Sequence, residues 1–122
     1  MYNENLHQRV QVCRALLSRI GYAHLWTSDG PTPEAKNYLD QYGGPMSNSQ
    51  WTVYQVAWYV WGRPADVKLQ EVMQLPAPLN EWIIALLGAL FKGPKAVESW
   101  LAGFDRMNDA VRAGAARIHH LS

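Results

Sequence analysis

Apolar positions recur at intervals of three and four along most of this chain, the spacing of one face of a helix. The pattern starts early. Leu6, Val10, Cys13, Leu17 and Ile20 form one stripe, widened by Val12 and Leu16, and predict a helix over residues 4–20. Asn3 is placed to cap it and Gly21 to end it. Arg9 and Arg14 fall at the edges of the stripe, where their stems can cover apolar surface and leave the charge wet. Residues 21–33, GYAHLWTSDGPTP, interrupt the period with turn chemistry at Asp29-Gly30-Pro31. Thr32 followed by Pro33 then reads as cap and first residue of a second helix, 33–42. Its apolar face is Ala35, Tyr38, Leu39 and Tyr42, and Gly43-Gly44-Pro45 stops it.

The run SNSQWTVYQVAWYVWGRP, residues 47–64, is ambiguous by composition, because aromatic and β-branched residues also favour strands. Its period decides. The less apolar positions, Thr52, Gln55 and Tyr59, are three and four apart rather than two, so the run is a helix over 48–61. Ser47 with Gln50 three residues on is a capping box, and Gly62 with Pro64 supplies the stop. Only the strip of Thr52, Gln55 and Tyr59 is cheap to expose.

Three further helices follow. PADVKLQEVMQL, residues 64–75, starts on a proline. After Pro76-Ala77-Pro78, Asn80 is placed to cap a helix over 81–91, with Leu79 able to staple onto Ile84. That helix, WIIALLGALF in its apolar part, is hydrophobic on nearly every side and so reads as contacted all round. Gly93-Pro94 restarts the chain into a last helix over 94–118. Its stripe is Val97, Trp100, Leu101, Phe104, Met107, Val111, Ala115 and Ile118. Gly103 and Gly114 inside it cost roughly 1 kcal/mol each relative to alanine. The prediction is an all-α fold: one domain over residues 1–122, a compact bundle of five or six helices with short Gly/Pro-marked connections.

Composition adds limits. Apolar residues are 48% and charged residues 17% of 122, the balance of a globular domain. A net charge of +1 gives no electrostatic case for duplex nucleic acid or an anionic membrane. Cys13 is the only cysteine, which excludes an internal disulfide and suits a reducing compartment. MYNENLHQRV lacks the apolar core of a signal peptide, and the ten-residue apolar run is too short to span a bilayer. The expected location is cytoplasmic.

Candidate chemistry is sparse. Cys13 falls mid-stripe on an apolar helix face, the place of a buried thiol rather than a nucleophile. Adjacent His119 and His120 diverge by about 100° on a helix and do not chelate as an i, i+4 pair would. The ten acidic residues are dispersed, with Asp105 and Asp109 beside Arg112 on a solvated face. FKGPKAVES lacks the spacing of a Walker loop. No catalytic residue, cofactor or metal is expected.

The aromatic residues carry the remaining signal. Six tryptophans and six tyrosines are many for this length, and all the tyrosines lie in the first half. Such side chains, apolar with a polar tip, are enriched where proteins bind one another. The expected function is therefore a non-enzymatic helical protein-interaction module, of the bacterial or phage accessory kind (inhibitor, adaptor or antitoxin-like). Its expected surface is Tyr22, His24, Trp26, Tyr38, Tyr42, Gln55 and Tyr59. The partner is a protein, with a second copy as a variant; neither nucleic acid nor membrane is expected. One alternative is a small-molecule binder or enzyme using an aromatic pocket of Trp26, Tyr54 and Trp58. The other is a helical DNA reader using Arg63 and Lys68.

Overall fold

A computed structural model of the chain describes residues 2–63 and 67–103. In chain order these form α1 (Tyr2–Ser18), a 3-10 turn (Ala23–Leu25), β1 (Trp26–Thr27), β2 (Gly30–Pro31), α2 (Pro33–Asp40), α3 (Asn48–Trp61), α4 (Leu69–Met73) and α5 (Leu79–Lys92). A further helix, α6, begins at residue 94 and is described to residue 103. The fold is all-α with one two-stranded addition. The predicted continuation of α6 to residue 118, the start of α4 at Pro64, and His119 and His120 lie outside the described residues.

The core is built on α3. Val53, Tyr54, Val56, Ala57, Trp58 and Val60 are all buried, so most of this helix is enclosed, as its period implied. α1 packs along it through Val12, Cys13, Leu16 and Leu17. The Cys13 thiol donates to the Ala57 carbonyl at 3.3 Å. Ser47 and Gln50 form the predicted capping box, each side chain accepting from the other's backbone N–H. Gln50 also donates to the Ile20 carbonyl and ties the end of α1 to the start of α3. Thr32 caps α2 by accepting from Ala35 N–H, with Pro33 in the first turn. The Tyr54 hydroxyl donates to the Ala35 carbonyl and fixes α2 against the aromatic side of α3.

Four features depart from the sequence expectations. First, the connection after α1 contains a hairpin: Trp26 pairs with Pro31 and Thr27 with Gly30. Gly30 permits it twice over. Its φ is +114°, and a Cβ there would stand 2.6 Å from Trp61 Cζ2. Second, α4 is five residues rather than twelve. Lys68 is extended at φ −92°, ψ 125° and offers no side-chain cap, so the helix starts only at Leu69. Third, α5 begins at Leu79 behind Pro78, and Asn80 sits within its first turn, accepting from Glu81 N–H at 2.8 Å. Fourth, among the described residues α5 is not contacted all round. Ile83, Leu86 and Ala89 are buried, while Phe91 is 96% exposed and Ile84, Ala85 and Gly88 also face outward.

α5 and α6 are joined by their tryptophans. The Trp82 and Trp100 rings stack at 4.6 Å, and Trp100 Nε1 donates to the Trp82 carbonyl at 2.9 Å. The Arg19 guanidinium lies over the Trp82 ring at 5.6 Å, which brings the end of α1 into the same contact.

Candidate partner-binding surface

Three helices end in the same way, and α2 differs from the other two in the residue it uses. α1, α2 and α3 each close with a backbone N–H reaching back to a carbonyl five residues earlier: Tyr22 to Leu17, Gly43 to Tyr38, and Arg63 to Trp58. This closure requires the preceding residue to be left-handed, which L side chains adopt at a cost of roughly 1–2 kcal/mol. α1 uses Gly21 (φ +84°) and α3 uses Gly62 (φ +112°). α2 uses Tyr42, at φ +51°. The cost is not offset by burial, because Tyr42 is 85% exposed. Gly43 and Gly44 continue left-handed, and Gly43 lies against Trp51, where a Cβ would come within 2.9 Å of the ring. The backbone course through Tyr42 is thus set by the reach-back bond to Tyr38 and by the packing of Gly43 on Trp51, and the ring is left exposed.

Tyr42 follows α2, and Tyr38 of that helix belongs to a small cluster of aromatic side chains. Tyr22 meets Tyr38 edge to face at 5.6 Å and stacks on His24 at 6.1 Å. Tyr22 and Tyr38 are half-buried and His24 is exposed. Tyr38, in the last turn of α2, lines a shallow cleft of about 270 Å³ with Glu34, Asn37, Gln41 and Pro45. The cleft thus sets the Tyr38 ring among amide and carboxylate side chains.

The other members of the expected surface are elsewhere. Trp26 is 1% exposed and cannot meet a partner. The hairpin turns it inward, where it packs edge to face with Trp58 at 5.0 Å and with Trp61 at 6.1 Å. Its indole nitrogen is buried with no hydrogen-bond acceptor among the described residues. Gln55 is half-buried and Tyr59 exposed, but they face a different direction. Tyr59 is five residues beyond Tyr54, about 140° round the helix from the side that holds α2. It lines grooves shared with Val67, Leu69, Leu87 and Leu90 of the α4–α6 side. Thr52, expected on the same strip, is buried. Its hydroxyl donates to the Asn48 carbonyl, and it lies at the wall of a cleft of about 400 Å³ that Glu71, Gln74 and Leu75 line from the other side.

Other chemistry finds little support. Cys13 is fully enclosed and burial pushes its thiol well up from the ordinary value, against the smaller opposing effect of Arg9. A thiolate nucleophile is excluded there. Among the described residues, no three His, Cys, Asp or Glu side chains stand together as metal ligands. The aromatic pocket of Trp26, Tyr54 and Trp58 is occupied by those rings themselves, with Tyr54 and Trp58 6.5 Å apart. The DNA-reading arrangement loses its helix, since α4 is barely longer than one turn, and Arg63 lies over the Trp58 ring at 5.6 Å. Among the described residues no helix is long and apolar enough to cross a membrane.

The fold and surface together define an all-α domain with an aromatic rim. No protein-family model, curated protein or solved structure matches the chain.

Proposed function

We propose that this chain is a non-enzymatic helical interaction module that binds a partner protein through Tyr42, Tyr38, Tyr22 and His24. The observation that carries the reading is Tyr42: an exposed aromatic ring held in a backbone conformation that two neighbouring helix ends assign to glycine. Strain kept where it does nothing for the fold is characteristic of binding sites. Tyrosine suits the role because it offers a large ring, a hydroxyl and few rotatable bonds. A partner would cover the Tyr42 ring and set its own polar groups against Glu34, Asn37 and Gln41. The single buried cysteine accords with a cytoplasmic accessory protein of the inhibitor, adaptor or antitoxin-like kind.

The test is affinity capture from the native host with wild-type and Tyr42→Gly chains, read by quantitative mass spectrometry. A protein recovered stoichiometrically by the wild type and lost by the variant is the expected result. Equal recovery by both would remove Tyr42 from the interface and the reading with it.

A further inference from the structure

A second surface lies on the opposite side of α3, and it is the outward face of α5. The apolar run of this helix predicts contact on all sides, yet among the described residues only one side has it. Ile84, Ala85, Gly88 and Phe91 face outward along about two turns, with half-buried Leu87 at their edge. Leu69 and Met73 of α4 are exposed beside them, and Tyr59 borders the groove of about 220 Å³ that links Leu69 to Leu87.

Gly88 is the informative residue. A glycine inside a helix costs about 1 kcal/mol relative to alanine, and it is usually kept for close packing. Here a Cβ at Gly88 would meet nothing within 4 Å. The space it leaves has no use within the chain's described residues. It is central on the bare face, four residues after Ile84 and three before Phe91. An exposed recess at Ala85 and Gly88 stands beside an exposed knob at Phe91 on the same helix, which is self-complementary in an antiparallel arrangement.

Charge points the same way. Glu81 opens α5 and Lys92 closes it, both exposed and both on the bare side of the helix. They are eleven residues apart, about 16 Å along the axis. A second copy crossing antiparallel brings Glu81 of each chain beside Lys92 of the other, and also opposes the two helix dipoles. A parallel crossing would set like charges together. The exposed parts of Tyr59, Leu69, Met73, Ile84 and Phe91 amount to roughly 600 Å², at about 200 Å² per large side chain. That is the upper end of what a monomer leaves exposed and approaches the roughly 800 Å² that each partner of a standard interface buries.

We infer that the chain forms a two-fold dimer through antiparallel α5 helices, with Phe91 of each copy seated over Ala85 and Gly88 of the other. This dimer is independent of the Tyr42 surface, which stays outward on both copies.

The test is sedimentation equilibrium of the full chain from 1 to 300 µM in 150 mM salt. The expected result is a dimer that Phe91→Glu weakens at least 100-fold. Phe91 is in water in the single chain, so circular dichroism and thermal midpoint should be unchanged at concentrations where both proteins are monomeric. Gly88→Leu fills the recess with a better helix former and should break the dimer while the fold remains. Glu81→Lys and Lys92→Glu should each weaken it about tenfold, and the double exchange should restore it, which identifies the antiparallel pairing. A monomer throughout the range overturns the inference. So does a dimer indifferent to Phe91→Glu and Gly88→Leu. A monomer whose outward α5 amides are nonetheless protected from hydrogen exchange assigns the cover to another part of the same chain, and overturns it too. Partner capture through Tyr42 should survive Phe91→Glu, so the two proposals fail separately.

Discussion

Tyr42→Gly should make the protein more stable. The left-handed conformation at φ +51° costs a tyrosine roughly 1–2 kcal/mol, and glycine bears none of that cost. Two effects oppose the gain. Glycine loses more chain entropy on folding, about 0.5–1 kcal/mol. The small buried fraction of an 85% exposed ring surrenders about 0.3 kcal/mol of apolar burial. The expected net is a gain of about 0.5 kcal/mol. With a urea dependence of about 1–3 kcal/mol/M for a domain this size, the midpoint should rise by roughly 0.2–0.5 M. Gly21→Ala is the matched control. Gly21 closes α1 by the same reach-back bond, and a Cβ there meets nothing within 4 Å. Its loss of about 1 kcal/mol should therefore be conformational alone. The measurement is equilibrium urea unfolding of the three chains by tryptophan fluorescence at low protein concentration. If Tyr42→Gly lowered stability by 1 kcal/mol or more, the ring would be serving the fold, and its strain would no longer argue for a partner.

Other substitutions test the packing. Gly30→Ala places a methyl 2.6 Å from Trp61 Cζ2 in a left-handed position, and should cost about 2–4 kcal/mol by urea unfolding; a loss under 0.5 kcal/mol would contradict the hairpin–Trp61 contact. Burial pushes the Tyr54 hydroxyl up to about 12 from its ordinary 10. The folded state thus favours the neutral phenol, so its contribution to stability is full below pH 10 and is lost as pH rises toward 12. Tyr54→Phe should lack that part of the decline, and identical alkaline slopes would refute the assignment. Trp100→Phe keeps the stack on Trp82 but removes the hydrogen bond to its carbonyl, and thermal unfolding should show a loss of about 1 kcal/mol beyond that of the smaller ring. Cys13 should react with a thiol reagent at neutral pH only as fast as the chain opens, with labelling accelerated by urea; immediate labelling of the native protein would contradict its burial.

The helices were legible where the signal was local. Ser47 with Gln50, Thr32 with Pro33, and Gly21 and Gly62 each act through backbone groups within a few residues, so spacing alone located two helix starts and two helix ends. What depended on tertiary placement was less readable. Trp26 looked available because it sits in an irregular connection; its burial needs Gly30 to admit Trp61 from thirty residues away. Thr52, Gln55 and Tyr59 share one helix strip, but Thr52 is buried and Tyr59 exposed, and no period along α3 encodes that difference. The strain at Tyr42 was hidden because a tyrosine four residues after Tyr38 fits a helix face; only the backbone angle shows that it has left the helix. The bare face of α5 was hidden for the opposite reason. Apolar composition reports what a helix would bury, not whether the described residues around it supply the cover. Gly88 in the middle of that run was the available hint.

The central claim is that Tyr42 is kept for a partner at the expense of the fold, and calorimetric titration of the captured partner against wild-type and Tyr42→Gly chains tests it most directly. A tyrosine at the centre of an interface is worth about 2 kcal/mol or more, so the variant should bind roughly 30-fold more weakly while unfolding at higher urea. Equal affinity of the two chains, or a variant that loses affinity and stability together, would contradict the account.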